Sequence, residues 1–277
     1  MKSRSRWMVG VVMAMVAPSV AWAQGTAAGR DSATAPPPLF TRADGWLAGG
    51  FVAGMVAVWP LDESIAERSQ LPSNQSNAAL KNTATVFREL ADPGTVIIGG
   101  GLYIAGRLTH DRTMADIGGH ASEAIIGSSV VGWVLKSVAG RARPRVNIHD
   151  PHDFKLGRGF GSAGDYQSFP SGHTLAAFSL ASVVTAESGR LWPREQALIG
   201  VLTYGGATLS GLSRIYNNAH WASDVMLGAG IGTLTGLAVV RYQHGHPGNW
   251  VDRIFLHEVS VAPAVGGGMM VGVNLQR

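Results

Sequence analysis

"SFPSGHTLAAFSLASVVTAE", residues 168–187, changes character after its third residue. Pro170 closes a polar stretch, Ser171 has the short hydroxyl that suits a helix N-cap, and from Leu175 the run is small and apolar. The pattern predicts a helix opening near Ser171. Such an opening presents free N–H groups and the positive end of the helix dipole, a cradle for an anion. Gly172 allows close backbone approach there, and His173 lies in the first turn, placed to donate a proton. Five more apolar stretches of similar make-up cover residues 45–60, 93–107, 121–139, 195–213 and 224–242. Their length and small-residue content predict helices, so the fold class is all-α, a helical bundle with about six core helices. Asp92-Pro93 and Trp192-Pro193 mark expected helix starts.

Around these helices the chain of 277 residues is 46% hydrophobic and only 14% charged, which excludes a disordered protein. The net charge of +4 favours anionic partners, but the basic residues form no stripe, so nucleic acid is not expected as a partner. With no cysteine there is neither a disulfide nor a thiolate chemistry to consider. Lys2, Arg4 and Arg6 precede an apolar run that ends in Ala21-Trp22-Ala23, a secretory signal pattern over residues 1–23. Residues 24–39 are small, polar and proline-rich, a disordered leader. Residues 40–250 are then expected to form a single domain, and 251–277 a tail or β-hairpin around Gly266-Gly267-Gly268. The apolar stretches are short of the ~20 residues that span a bilayer and are bounded by charges. A soluble periplasmic domain is therefore expected, with an integral or peripheral membrane protein as the alternative.

Two further clusters carry chemistry. "KSVAGRARP", residues 136–144, ends an apolar run with three cations. "SRIYNNAHWASD", residues 213–224, puts Asp224 four positions after His220, so on a helix the carboxylate can accept from one ring nitrogen and leave the other as a base or nucleophile. The pair could equally be a structural cap. "NIHDPHDF", residues 147–154, gathers His149, Asp150, His152 and Asp153, which read as a polar loop over the site rather than a metal centre, since they lack a fixed spacing. His110 and His120 read as packing or surface residues, and Tyr216 and Trp221 as core.

Taken together, K-x6-R-P, P-S-G-H and S-R-x5-H-x3-D resemble the tripartite motif of the type 2 phosphatidic acid phosphatase superfamily, which includes bacterial acid phosphatases and vanadium haloperoxidases. The resemblance implies that Lys136, Arg143, Ser171, Gly172 and Arg214 bind a phosphoryl group. It also implies that His220 attacks phosphorus, that Asp224 orients it, and that His173 protonates the leaving group and then activates water. One histidine starts neutral and the other protonated, which implies a bell-shaped pH profile. No metal and no cofactor is called for, and the substrate is a phosphorylated small molecule or lipid phosphate. The competing readings are a vanadate-dependent haloperoxidase and a non-catalytic anion-binding envelope protein.

Overall fold

In a computed structural model, residues 38–161, 164–247, 249, 251, 259–263 and 269–273 are described. The expected signal segment and nearly all of the leader lie outside them. Helix α1 (Arg42–Val58) starts in a reciprocal cap: Thr41 Oγ1 accepts from the Asp44 N–H, and the Asp44 carboxylate accepts from the Thr41 N–H at 2.6 Å. A 3-10 turn (Trp59–Leu61) leads into three helices that composition does not advertise: α2 (Asp62–Ser69), α3 (Pro72–Gln75) and α4 (Ala78–Ala91). The last of these is capped by the Asn77 side chain. Then come α5 (Gly94–Thr109), α6 (Arg112–Ala139), α7 (Gly172–Leu191), α8 (Gln196–Tyr216) and α9 (Ala222–Gly245). Strands β1 (Val259–Pro263) and β2 (Met269–Val273) pair antiparallel, forming the hairpin expected at the C-terminus.

All six apolar stretches are helical, so the all-α bundle stands. One expected start is displaced. A turn occupies residues 193–195, and α8 begins at Gln196 rather than at Pro193.

Helices α7 and α9 form the centre of the bundle, with α1, α6 and α8 packed around them. Their backbones meet closely because Gly228, Gly232 and Gly236, spaced four apart, make a flat ridge on α9. A Cβ on Gly232 would stand 2.3 Å from the Leu175 carbonyl oxygen, and one on Gly228 would stand 2.6 Å from that of Ser171. Beside this seam Leu47, Phe51, Phe178, Tyr204, Val225 and Met226 make the apolar core.

The outer surface is unlike that of a soluble bundle. On α6, Ile126, Val130, Trp133 and Val134 face outward at helical spacing, and Ile126 is 63% exposed. Trp46, Val52 and Val56 on α1, Val96 and Ile97 on α5, and Leu198, Val201 and Leu202 on α8 are likewise exposed. Among the described residues, the segments Arg42–Ser69 and Ala222–Gly245 are long and apolar enough to cross a membrane, and the second is largely buried within the bundle.

Candidate active site

The three motifs converge at one end of the bundle, where α6 and α8 finish and α7 and α9 begin. Helix α6 stops because Gly140 adopts a left-handed conformation (φ 56°), where a Cβ would collide with the Lys155 carbonyl oxygen. Lys136 is thereby held in the last turn, and Arg141 and Arg143 enter the stretch that follows.

Arg141, to which motif spacing assigns no role, is fully buried between two carboxylates. Its Nη1 donates to Asp224 Oδ1 at 2.5 Å and to Ser223 Oγ at 2.8 Å, and its Nη2 donates to Asp62 Oδ2 at 2.8 Å. Nε donates to the Pro151 carbonyl. The guanidinium is also enclosed by the rings of Trp59, Phe154 and Trp221, 5.0–5.4 Å from their centroids. Asp62 closes the network by accepting from the Ser223 N–H at 2.9 Å. In the sequence Asp62 looks like an ordinary acidic residue of a first helical turn, so nothing marks it.

His220 is 2% exposed. The expected bond to Asp224 is corrected by the geometry: Nδ1 donates to the Ser168 carbonyl oxygen at 2.7 Å, while Asp224 Oδ2 stands 3.8 Å away. The carboxylate is already committed. Its Oδ2 accepts from Ser168 Oγ at 2.5 Å and from the Trp221 N–H at 2.9 Å, which caps α9. Asp224 therefore supports the histidine through Ser168 and the helix start, combining the orienting and capping readings. A backbone carbonyl has no sequence signature, and so Ser168 was invisible beforehand. With the Nδ1 proton held by Ser168, Nε2 carries the lone pair. Burial, aided by Lys136 and Arg143, holds the His220 pKa well below the usual imidazole range, which keeps the ring neutral.

His173, in the first turn of α7, lies with Arg214 in a cleft of about 520 Å³ whose wall also includes Arg88, Asp92, Arg145 and Asn217. Its Nε2 is 3.7 Å from Asp92 Oδ2. The Ser171 N–H bonds to the Asp224 carbonyl, and its Oγ accepts from Thr174 Oγ1. Ser171 thus ties α7 to α9, and the helix opens its next N–H groups, those of Gly172 and His173. The Lys136 ammonium lies close by: a Cβ on Gly172 would stand 3.6 Å from Nζ.

The cations of this end are unevenly paired. Arg88 pairs with Glu89, and Arg145 with Asp165. Lys136 donates to the Gln167 carbonyl and Arg143 to those of Gly164 and Ala219, and among the described residues neither has a carboxylate partner. Burial, and then Arg145, pull the Arg143 pKa down from the usual guanidinium range. Arg214 is the extreme case: it is 8% exposed, and its Nε and Nη1 have no hydrogen-bond partner among the described residues. Unpaired buried donors beside other cations are costly unless an anion occupies the space between them.

The other candidates stay apart from this centre. His152 accepts from Trp59 Nε1 at 3.0 Å, Asp153 pairs with Arg158, and the exposed His149 faces Glu63 and Glu67. Residues 147–154 are turns and coil, as a loop should be, but none of them lines the cleft, so the loop does not lie over the site as expected. Trp221 is fully buried, Tyr216 half-buried and His110 exposed, but His120 is neither simple packing nor surface: it is buried against Glu187 at 2.8 Å.

Residues 119–247, which contain all three motifs, match the family model described as the PAP2 superfamily. This segment belongs to the PAP2 superfamily. A lipid A 1-phosphatase of Porphyromonas gingivalis is 46% identical over 69 residues, covering 25% of this chain and 15% of the relative. One from Rhizobium etli is 33% identical over 118 residues, covering 42% of this chain and 46% of the relative. The chain thus spans less than half the length of either. In fold, the chain resembles a Bacillus subtilis protein described as a transmembrane PAP2 type phosphatidylglycerolphosphate phosphatase. Its TM-score is 0.55 at 22% identity, over 74% of this chain and 98% of that one.

Proposed function

We propose that the chain is a membrane-embedded lipid-phosphate phosphatase whose domain spans residues 40–250 and whose reaction passes through a phosphohistidine. The observation that carries the reading is Arg214, with two buried guanidinium nitrogens that have no partner among the described residues, in a cleft shared with His173. A phosphoryl group fills that need: its oxygens accept from Arg214, Arg143, Lys136 and the opening N–H groups of α7. The same donors meet the charge that develops on the equatorial oxygens as phosphorus becomes trigonal.

In this mechanism neutral His220 attacks through Nε2, and the P–O bond to the leaving group breaks. His173 gives its proton to the departing oxygen and then removes one from the water that cleaves the P–N bond. Burial, and then Arg214, Lys136 and Arg143, push the His173 pKa down to about 3, so the acid role requires the negative charge of the phosphoryl group to offset those cations, with Asp92 Oδ2 standing 3.7 Å from Nε2. His173→Ala should therefore depress hydrolysis of an alkyl phosphate by about 10²–10⁴-fold. Para-nitrophenyl phosphate, whose leaving group needs no proton, should suffer far less in its first step. Equal losses for both substrates in the first-turnover release of the leaving group would remove His173 from the acid role.

The membrane assignment rests on the apolar outer faces of α1, α5, α6 and α8, which water would not favour at this extent. It replaces the expectation of a soluble periplasmic domain. The sequence expectation underestimated the length of the helices, because it measured only their apolar centres; α6, at 28 residues, is about 42 Å long. Lipid phosphates fit such a body, since the acyl chains can stay beside the helices while the headgroup enters the cleft at their end. The names borne by the relatives point the same way. Phosphate release from a panel of lipid A, phosphatidylglycerol phosphate, phosphatidic acid and a water-soluble ester, in detergent with and without EDTA, tests this. At least one lipid phosphate should turn over faster than the soluble ester, and EDTA should not stop it. Absence of release from every lipid would overturn the reading.

A further inference from the structure

The end of the bundle away from the cleft holds a second convergence of chemistry, on helices α6, α7 and α9. His120 Nδ1 lies 2.8 Å from Glu187 Oε1, and His244 Nε2 lies 2.8 Å from the same oxygen and 3.0 Å from Oε2. The two imidazoles stand edge-to-face with centroids 5.4 Å apart. His120 and Glu187 are buried, and His244 is 28% exposed, which leaves one open approach. At about 1.5 Å per residue, His244 is roughly 30 Å along α9 from Asp224, so the phosphatase reaction makes no use of this cluster.

We propose that His120, Glu187 and His244 form a divalent metal site that pins the three helices together, with Zn²⁺ as the best-suited ion. Two imidazole nitrogens and a carboxylate, all within 4.8 Å of one another, are a donor set that a borderline metal prefers. Three protein ligands leave a fourth, tetrahedral position for water, on the side where His244 meets solvent. To bind, each imidazole moves its proton to the other ring nitrogen and turns the freed lone pair on the cation. A salt-bridged His-Glu-His clamp without metal would hold the helices too, but it keeps a proton between each ring and the carboxylate. The surroundings suit a dication: Glu123, fixed by Gln243 Nε2 donating at 2.5 Å, lies one turn of α6 beyond His120. Arg190 is the opposing charge, with its Nε 3.9 Å from Glu187 Oε2.

The cluster is separate from the exposed group of His149, Glu63 and Glu67, which serves as the internal control. The test uses the untagged full chain in detergent, stripped with a chelator and titrated with Zn²⁺ by calorimetry, while thermal unfolding is followed in parallel. Wild type should bind one equivalent tightly and melt higher with the metal, because an ion that binds only the folded state stabilises it. His244→Ala, the variant least disruptive to packing, should weaken binding by about 100-fold or more and lose the thermal response, as should Glu187→Gln. His149→Ala should leave both unchanged. Lack of binding by wild type, or unchanged binding by folded His244→Ala, would overturn the proposal. Phosphatase activity need not respond in either case, so this outcome is distinct from failure of the functional assignment.

Discussion

Replacing His220 by alanine should lower phosphate release by at least ~10⁴-fold, whatever the substrate, while the protein still folds and extracts normally. The size follows from the role: no other described imidazole combines burial, a neutral ring and a fixed Nδ1 proton beside Lys136 and Arg143. Loss of the bond to Ser168 costs about 1–3 kcal/mol of stability, a tolerable amount for a bundle of this size. Steady-state release from the best lipid phosphate, beside a melting curve for the same preparation, checks the prediction. Activity retained within tenfold of wild type would contradict it.

The second large effect is on stability. Arg141→Met should destabilise the protein by about 3–5 kcal/mol, because it strands Asp62 and Asp224 as buried carboxylates without their shared cation. For a domain of this size that corresponds to a fall of roughly 10 °C in melting temperature. Turnover should fall as well, since Asp224 also holds Ser168, whose carbonyl fixes His220. The double variant Arg141→Met/Asp62→Asn should recover part of the lost stability, as one of the stranded charges is then gone. A single variant that melts like wild type would show that the network is not the anchor it is taken for.

What could be read in advance, and what could not, divides along physical lines. The six long helices are visible because burial against other helices demands apolar residues in long runs. Helix α4 is not, since "AALKNTATVFRELA" spreads its apolar residues over one face only, yet its end supplies Arg88, and the turn after it Asp92, to the cleft. Motif spacing finds Lys136, Arg143, His173, Arg214 and His220, residues whose side chains would meet the substrate. It misses Asp62, Arg141 and the Ser168 carbonyl, which act on those residues through partners distant in the chain. Short apolar stretches bounded by charges also suggested a soluble domain. Only the direction in which Ile126, Val130 and Trp133 point separates an outer face from a core face, and that is a property of the packed structure.

The central claim is that His220 carries the phosphoryl group in transit. The most direct measurement is to mix His173→Ala with para-nitrophenyl phosphate, quench in alkali, where phosphohistidine survives, and map the modified peptide by mass spectrometry. Because this variant lacks the base for the water step, the account predicts an accumulated phosphoryl group on His220. A phosphoryl group found on any other residue, or an unmodified His220 during continuing turnover, would contradict it.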